Sequence, residues 1–209
     1  MTRIALLETL HPAATEALAQ AAQVILVAPE PSPNVVAGCA ALITRGRGRI
    51  TEATLAGAGA GLRCVARVGA GVDNIAVDAA TRRGVLVLNA PDAFTVTTAE
   101  HALMLMLAVA RRVAEFDRAV HEGRWDVRAD ITGGQLAGRL LGLVGLGRIG
   151  RRVGELALAL GMRVIAWSPH GRDERFPHVE LDELLAQADV VSLHLALSDA
   201  TRGLLDAGR

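Results

Sequence analysis

The sequence predicts an α/β protein with parallel sheets covered on both faces, organised as two successive lobes, and three observations predict it. Short apolar runs alternate with small-residue stretches of helical period along the chain. A glycine-rich turn, "GLGRIG" at residues 145–150, stands between an apolar run and a helical one. With 209 residues, 51% hydrophobic and 21% charged, the chain holds enough apolar surface for one or two sizeable cores.

The first lobe is read as strand "RIALLE" (3–8), helix "HPAATEALAQAA" (11–22), strand "VILVA" (24–28) and strand "CAALITR" (39–45). It continues with helix "TEATLAGAGAG" opened by Thr51, strand "LRCVARVG", helix "NIAVDAATRRG" closed by Gly84, and strand "VLVLNAP" ended by Pro91. Strands bounded by helices imply a mostly parallel, doubly covered sheet. Residues 97–122 read as one long helix whose first half is buried, because Leu103, Met106, Leu107 and Ala110 recur at helical spacing before the arginines begin at Arg111. A loop, "GRWDVRADITGG", leads to a second series: strand 140–144, helix 148–160, strand 163–167, helix 181–187 and strand 189–195. The lobes are expected to divide at residue 99, giving 1–99 and 100–209.

Composition narrows the chemistry. Acidic and basic residues balance at 22 each, which argues against binding to nucleic acid or to an anionic membrane surface. The longest apolar stretch, Ala102 to Ala110, is far shorter than the ~20 residues that span a bilayer, and the start "MTRIALLETLHP" lacks a secretory pattern. A cytoplasmic protein is expected. Cys39 and Cys64 have neither metal-ligand spacing nor a disulfide framework, so two buried thiols and no metal are expected. Every basic residue is arginine and tyrosine is absent, which excludes a lysine Schiff base, a P-loop lysine and a tyrosine acid.

The turn at 145–150 has the spacing and context of a Rossmann-type dinucleotide fingerprint. Gly145 makes the tight turn out of the strand, Gly147 lets a pyrophosphate approach the backbone, and Gly150 lets the helix pack on the strand. The helix N-terminus offers free N–H groups and a positive dipole end to phosphate. Ser168 stands eighteen residues after Gly150, near the ~20 at which a carboxylate usually binds the ribose 2′-hydroxyl. A neutral hydroxyl there, with Arg172 and His170 following, favours a 2′-phosphate and hence NADP modestly over NAD.

Four stretches together resemble the D-isomer-specific 2-hydroxyacid dehydrogenases, the family of phosphoglycerate dehydrogenase and glyoxylate reductase. They are "RVGAGVDNIAVDAATRRGVLVLNAPDAFTVTTAEHALMLMLAVARR", "GRW", "GGQLAGRLLGLVGLGRIG" and "ADVVSLHLALSDATRGLL". The resemblance implies a flavodoxin-like, incomplete substrate-binding lobe followed by the N-terminal half of a Rossmann-type NAD(P)-binding domain. It implies that the N–H groups of Ala70 and Gly71 hold the substrate carboxylate, as successive amides in a turn can. It places Thr95 near the cofactor, Arg148 and Ile149 against the dinucleotide, and His194, Leu195 and Ala196 along its adenosine side. Glu100 and His101 also match, but are read as a helix cap and a packed histidine. Departures fall at Asp92, Phe94 and Ala196, Phe94 being either an apolar wall for the substrate or a core residue.

In the family, an arginine, a glutamate and a histidine downstream of the "TRGLL"-like segment polarise the keto oxygen and move the proton. None lies within residues 1–209, so the chain by itself is expected to be inactive, with its catalytic residues beyond residue 209. Neither Arg209 nor His194 sits in a matching motif. Counted as strands 1 to 3 of the order 3-2-1-4-5-6, the second-lobe strands would leave strand 140–144 as an exposed edge. The reading is an NAD(P)-dependent oxidoreductase on 2-hydroxy and 2-keto acids, homodimeric when complete. A non-catalytic dinucleotide-binding or partner-binding module, corepressor-like, is the alternative.

Overall fold

The computed structural model describes residues 1–208. The chain divides into two compact units, Met1–Phe94 and Thr95–Arg209. Residue 99, the boundary expected above, lies inside the helix that opens the second unit.

In the first unit the elements run β1 (Arg3–Leu6), α1 (Pro12–Ala21), β2 (Gln23–Leu26), a short 3-10 helix (Pro33–Val36), β3 (Ala41–Thr44), α2 (Glu52–Ala58), β4 (Cys64–Arg67), α3 (Val77–Arg82) and β5 (Leu86–Leu88). All pairings are parallel and the strand order is β2-β1-β3-β4-β5, the flavodoxin-like arrangement that the resemblance implied. Each residue of β3 is buried, as a central strand requires, and Leu42 packs with Leu7, Val65, Ile50 and Leu55. The expected helix start at Thr51 is a capping box closed with Thr54, because the two hydroxyls satisfy each other's otherwise orphaned amides. Cys39 is buried but Cys64 only half so, a correction to the expectation of two buried thiols. Burial pushes the Cys39 thiol pKa up.

The turn from β3 toward α2 is held by a single carboxylate. Glu8 Oε2 accepts from the N–H groups of Arg45, Gly46 and Gly48 at 2.7, 2.9 and 3.0 Å, and Oε1 accepts from Arg47 N–H at 3.0 Å. Buried Thr44 adds its hydroxyl, 3.1 Å from Glu8 Oε2 and 2.7 Å from Gly48 O. A side chain at residue 48 would break this turn, since its Cβ would fall 2.5 Å from Thr44 Oγ1. Burial works against the charge on Glu8, but the amides of Gly48, Arg47 and Arg45 and the Thr44 hydroxyl outweigh it and carry the pKa from 4.5 to about 2.

The second unit contains α4 (Thr95–Ala110), α5 (Val113–His121), a 3-10 helix (Trp125–Ala129), β6 (Leu140–Val144), α6 (Arg148–Ala159), β7 (Arg163–Trp167), α7 (Leu181–Gln187) and β8 (Val190–Leu193). The expected single helix over 97–122 is two, because Arg112 adopts a left-handed conformation, φ 53°, between them. Its first half is not buried either: only Ala99 and Met106 are covered on α4, while Leu105 is 49% and Val109 79% exposed. The small residues Ala99 and Ala102 and the side chain of Met106 carry the packing on the core beside α6, leaving the larger ones outward. The 3-10 helix replaces the expected loop, with Arg128 over the Trp125 ring at 5.5 Å.

The order of the second sheet is β7-β6-β8, all parallel. Strand 140–144 is therefore the centre, fully buried, and not the exposed edge expected from counting strands outward. The reason is the crossover: after β7 the chain passes through α7 and returns to the far side of β6. Leu141 and Leu143 face the α4–α6 layer, and Leu140 and Val144 face Leu181 and Leu184 of α7. Among the described residues β8 has no neighbour on its outer side, and its burial alternates.

The Glu8 clamp has a pH signature. A carboxylate whose pKa is depressed in the folded state contributes stability above its unfolded value and loses it as pH falls through the folded one. The contribution is expected to be complete above 4.5 and to vanish toward about 2. Glu8→Gln is expected to lower the stability of the first unit by about 1–3 kcal/mol at neutral pH. Urea unfolding followed by circular dichroism checks it, and the gap between the two proteins should close across that window.

Candidate functional site

The glycine turn lies at the carboxyl end of β6, between strands whose chain connections run in opposite directions, which is where open parallel sheets bind ligands. Gly145 leaves the strand at φ 108°, and a Cβ on it would fall 2.6 Å from the carbonyl oxygen of His194. A Cβ on Gly150 would fall 2.0 Å from the carbonyl oxygen of Gly145 and 3.4 Å from the His194 Cβ. Both positions thus require glycine for backbone contact, one strand to strand and the other helix to turn. Gly147 differs: it is the N-cap of α6, and a Cβ there would meet nothing within 4 Å. It borders open space at the helix N-terminus, and the first intrahelical bond begins only at Arg151 N–H to Gly147 O, 3.0 Å. The amides of Arg148, Ile149 and Gly150 precede that bond, with Arg148 exposed and Ile149 half-buried.

Ser168 follows the last residue of β7. His178 Nε2 lies 3.3 Å from both its N and its O. Gly171 folds back so that its Cβ position is 3.3 Å from Leu146 O and 3.5 Å from Ser168 Oγ, which brings this loop to the glycine turn. An ion-pair network fixes the loop. Asp173 accepts two bonds from the Arg175 guanidinium, 2.8 and 2.6 Å, and a third from its backbone N–H at 3.2 Å, and lies 3.4 Å from Arg151 Nε, while Arg175 also donates to Glu155 at 2.6 Å. Arg175 foremost holds the Asp173 carboxyl down to about 2. Phe176, fully buried, seats the loop against Gly154, where a Cβ would fall 2.5 Å from its ring. Its neighbours are paired, while Arg172 is exposed, its carbonyl accepting from Arg151 at 3.3 Å, and His170 is exposed beside it.

His194 continues the sheet, its N–H donating to Val144 O at 2.8 Å. Its Nε2 is 2.9 Å from Ser192 Oγ, and burial pushes its pKa below the ordinary imidazole range. Leu195 stands beside it against Gly145, whereas Ala196 is exposed. The structure therefore gathers Gly145, Gly147, Arg148, Ile149, Gly150, Ser168, His194 and Leu195 around one carboxyl end. Thr95 opens α4 with its Oγ1 buried and unpartnered. His101 is exposed rather than packed, and with Leu105, Val109 and β8 lines a groove of about 620 Å³. Glu100 lies beyond the first turn of α4, so it is not placed as that helix's N-terminal cap. Phe94 is 44% exposed, so it is no core residue.

Ala70 and Gly71 belong to the first unit, on the bend after β4, and both are exposed. Asn89 Nδ2 holds the Ala70 carbonyl at 2.7 Å and Ala90 N–H the Gly69 carbonyl at 3.0 Å. The bend carries no positive φ, so its amides form a turn and not a left–right alternating nest. Arg67, which sequence reading held only as a residue to mutate should the chain prove active, lies against this bend, and Glu8 was passed over. Sequence reading also passed over the network of Arg151, Asp173 and Arg175, whose only sequence signal is the dense charge in "GRDER".

Fold and site define a Rossmann-type dinucleotide-binding unit. Residues 103–209 match the family D-isomer specific 2-hydroxyacid dehydrogenase, NAD binding domain, and the chain belongs to that family. It is similar to a D-3-phosphoglycerate dehydrogenase of Archaeoglobus fulgidus, 40% identical over 81% of this chain and 33% of that one. It is also similar to a hydroxypyruvate reductase of Thermotoga maritima, 40% identical over 79% of this chain and 54% of that one. Among solved structures, the TT0316 protein of Thermus thermophilus superposes with a TM-score of 0.89 at 35% identity, covering 97% of this chain and 68% of that one. The chain thus spans about a third to a half of the length of these two curated relatives.

The two kinds of glycine separate in mutagenesis. Gly147→Ala is expected to leave thermal unfolding unchanged while weakening dinucleotide binding about tenfold, since the methyl group occupies the space at the helix end. Gly150→Ala is expected to lower both, the overlap with Gly145 costing about 1–3 kcal/mol. Calorimetric titration with NAD and thermal unfolding of each variant check the contrast.

Proposed function

We propose that this chain carries the dinucleotide-binding and carboxylate-binding parts of an oxidoreductase that interconverts a 2-hydroxy acid and a 2-keto acid with NAD or NADP. The observation that carries the reading is the glycine turn: two glycines forced by backbone contact and a third that opens the end of α6. A pyrophosphate suits that opening, where the amides of the first helical turn and the helix dipole attract anions. Gly145, Gly147, Arg148, Ile149 and Gly150 hold it in this reading, and His194, Leu195 and Ala196 line the adenosine side. Thr95, with its unpartnered hydroxyl, bonds the cofactor. When bound, the dinucleotide supplies or accepts the hydride. Ala70 and Gly71 of the substrate lobe hold the acid's carboxylate.

Ser168 and the exposed Arg172 support a modest preference for NADP. Ser168 brings no charge against a 2′-phosphate, and Arg172 has a guanidinium to offer it. The exposed apolar residues of α4, among them Met104, Leu105, Leu107 and Val109, support a homodimer, since contiguous apolar surface marks interfaces. The unpaired Cys39 and Cys64 fit a reducing, cytoplasmic compartment.

Titration with NADP and NAD tests the cofactor reading. Ser168→Asp is expected to shift the affinity ratio toward NAD by about tenfold or more, and an unchanged ratio sinks the assignment. Residues 1–209 purified alone are expected to bind cofactor without oxidising it against glyoxylate or hydroxypyruvate. Turnover above about 1 s⁻¹, the low end for ordinary enzymes, would place the catalytic residues inside this stretch.

A further inference from the structure

The contacts of Glu8 reach further than the loop they hold. A trans peptide points its N–H and its C=O in opposite directions. The amide of Gly46 donates to Glu8 at 2.9 Å, so the carbonyl of Arg45, in the same peptide, is turned away from Glu8. It accepts a 2.6 Å bond from Arg67 Nε. The Arg67 guanidinium, whose side chain is 17% exposed, lies 3.7 Å from Asp73. It rests on the two glycines that flank Ala70: a Cβ on Gly71 would fall 2.8 Å from Arg67 Nη1, and one on Gly69 would fall 3.4 Å from Cζ.

We propose that Glu8 is a positioning residue for the Ala70–Gly71 loop: by fixing the Arg45–Gly46 peptide it aims the Arg45 carbonyl at Arg67 and sets a guanidinium against the amides that receive a small carboxylate. The proposal rests on the reading of Ala70 and Gly71 as the carboxylate site. Two features favour this role over simple loop packing. Ionised Glu8 is purely an acceptor, with two oxygens facing four N–H donors, a fit that glutamine cannot reproduce because half its amide donates. The guanidinium it indirectly orients has one weak ionic contact at 3.7 Å, which leaves charge for a ligand. A second route leaves Glu8 through the Thr44 hydroxyl, 3.1 Å away, to Asn74 Nδ2 at 3.2 Å; the role proposed here assigns the effect of Glu8 on a ligand to the Arg45–Arg67 route.

The test uses the full chain, ¹⁵N-labelled, with pyruvate as probe. Glu8→Gln is expected to raise the exchange rate of the Arg67 Nε–H about tenfold and to weaken the pyruvate response of the Ala70 and Gly71 amides about tenfold. In an Arg67→Met background the same substitution is expected to change pyruvate affinity no further, whereas a merely structural role would add its full effect. Glu8→Asp, which keeps the charge, gives the same split on a milder scale if Glu8→Gln does not fold. Equal pyruvate affinity in Glu8→Gln, an unchanged Arg67 Nε–H, or additive losses in the double variant overturns the role of Glu8 alone. Ala70 and Gly71 amides that ignore pyruvate in the unsubstituted chain overturn the carboxylate reading, and the role of Glu8 with it.

Discussion

The second unit depends on one close approach. The backbone of His194 at the end of β8 and the carbonyl of Gly145 at the end of β6 stand so near the start of α6 that no Cβ fits at residue 145 or residue 150. Everything that makes this end of the sheet receptive follows from that contact. β8 pairs with β6 along its length and past its end, through His194 N–H to Val144 O. The helix starts at the strand's tip with its first amides facing outward, and Gly147 has open space in front of it. A bulkier turn would push α6 off the sheet and bury the helix end against its own side chains.

The loops around this frame are fixed by charge, with arginine as the sole long cation. Around β7 the planar guanidiniums of Arg151 and Arg175 bridge carboxylates from α6 and the following loop, a geometry that suits arginine's fork better than a lysine point charge. In the first unit the direction is reversed: a carboxylate, Glu8, gathers backbone donors. In both units side-chain charge holds a loop beside the carboxyl ends of parallel strands, where rigid placement of exposed groups serves recognition.

Each unit places its candidate contacts at the carboxyl ends of strands. The carboxylate bend follows β4 in the first unit, and the dinucleotide contacts follow β6, β7 and β8 in the second. The family to which the chain belongs, matched over residues 103–209, is named for the dinucleotide half of this arrangement.

The sequence alone determined the strands, most of the helices and the glycine turn. Continuous apolar runs set strands 140–144 and 163–167, and helical spacing set helix 181–187, at the observed residues, because a strand covered on both faces needs apolar residues along its length. The spacing of Gly145, Gly147 and Gly150, a local pattern too, determined the candidate pyrophosphate site. Tertiary structure decided the rest. Strand order is set by where a crossover packs, so β6 became the centre and not the edge. Whether the apolar residues of α4 are covered depends on what lies beside them, and small Ala99 and Ala102 took the packed face. The link from Glu8 through the Arg45–Gly46 peptide to Arg67 runs over contacts between residues 38 and 22 positions apart, and a separation of that kind carries no local pattern for a sequence to show.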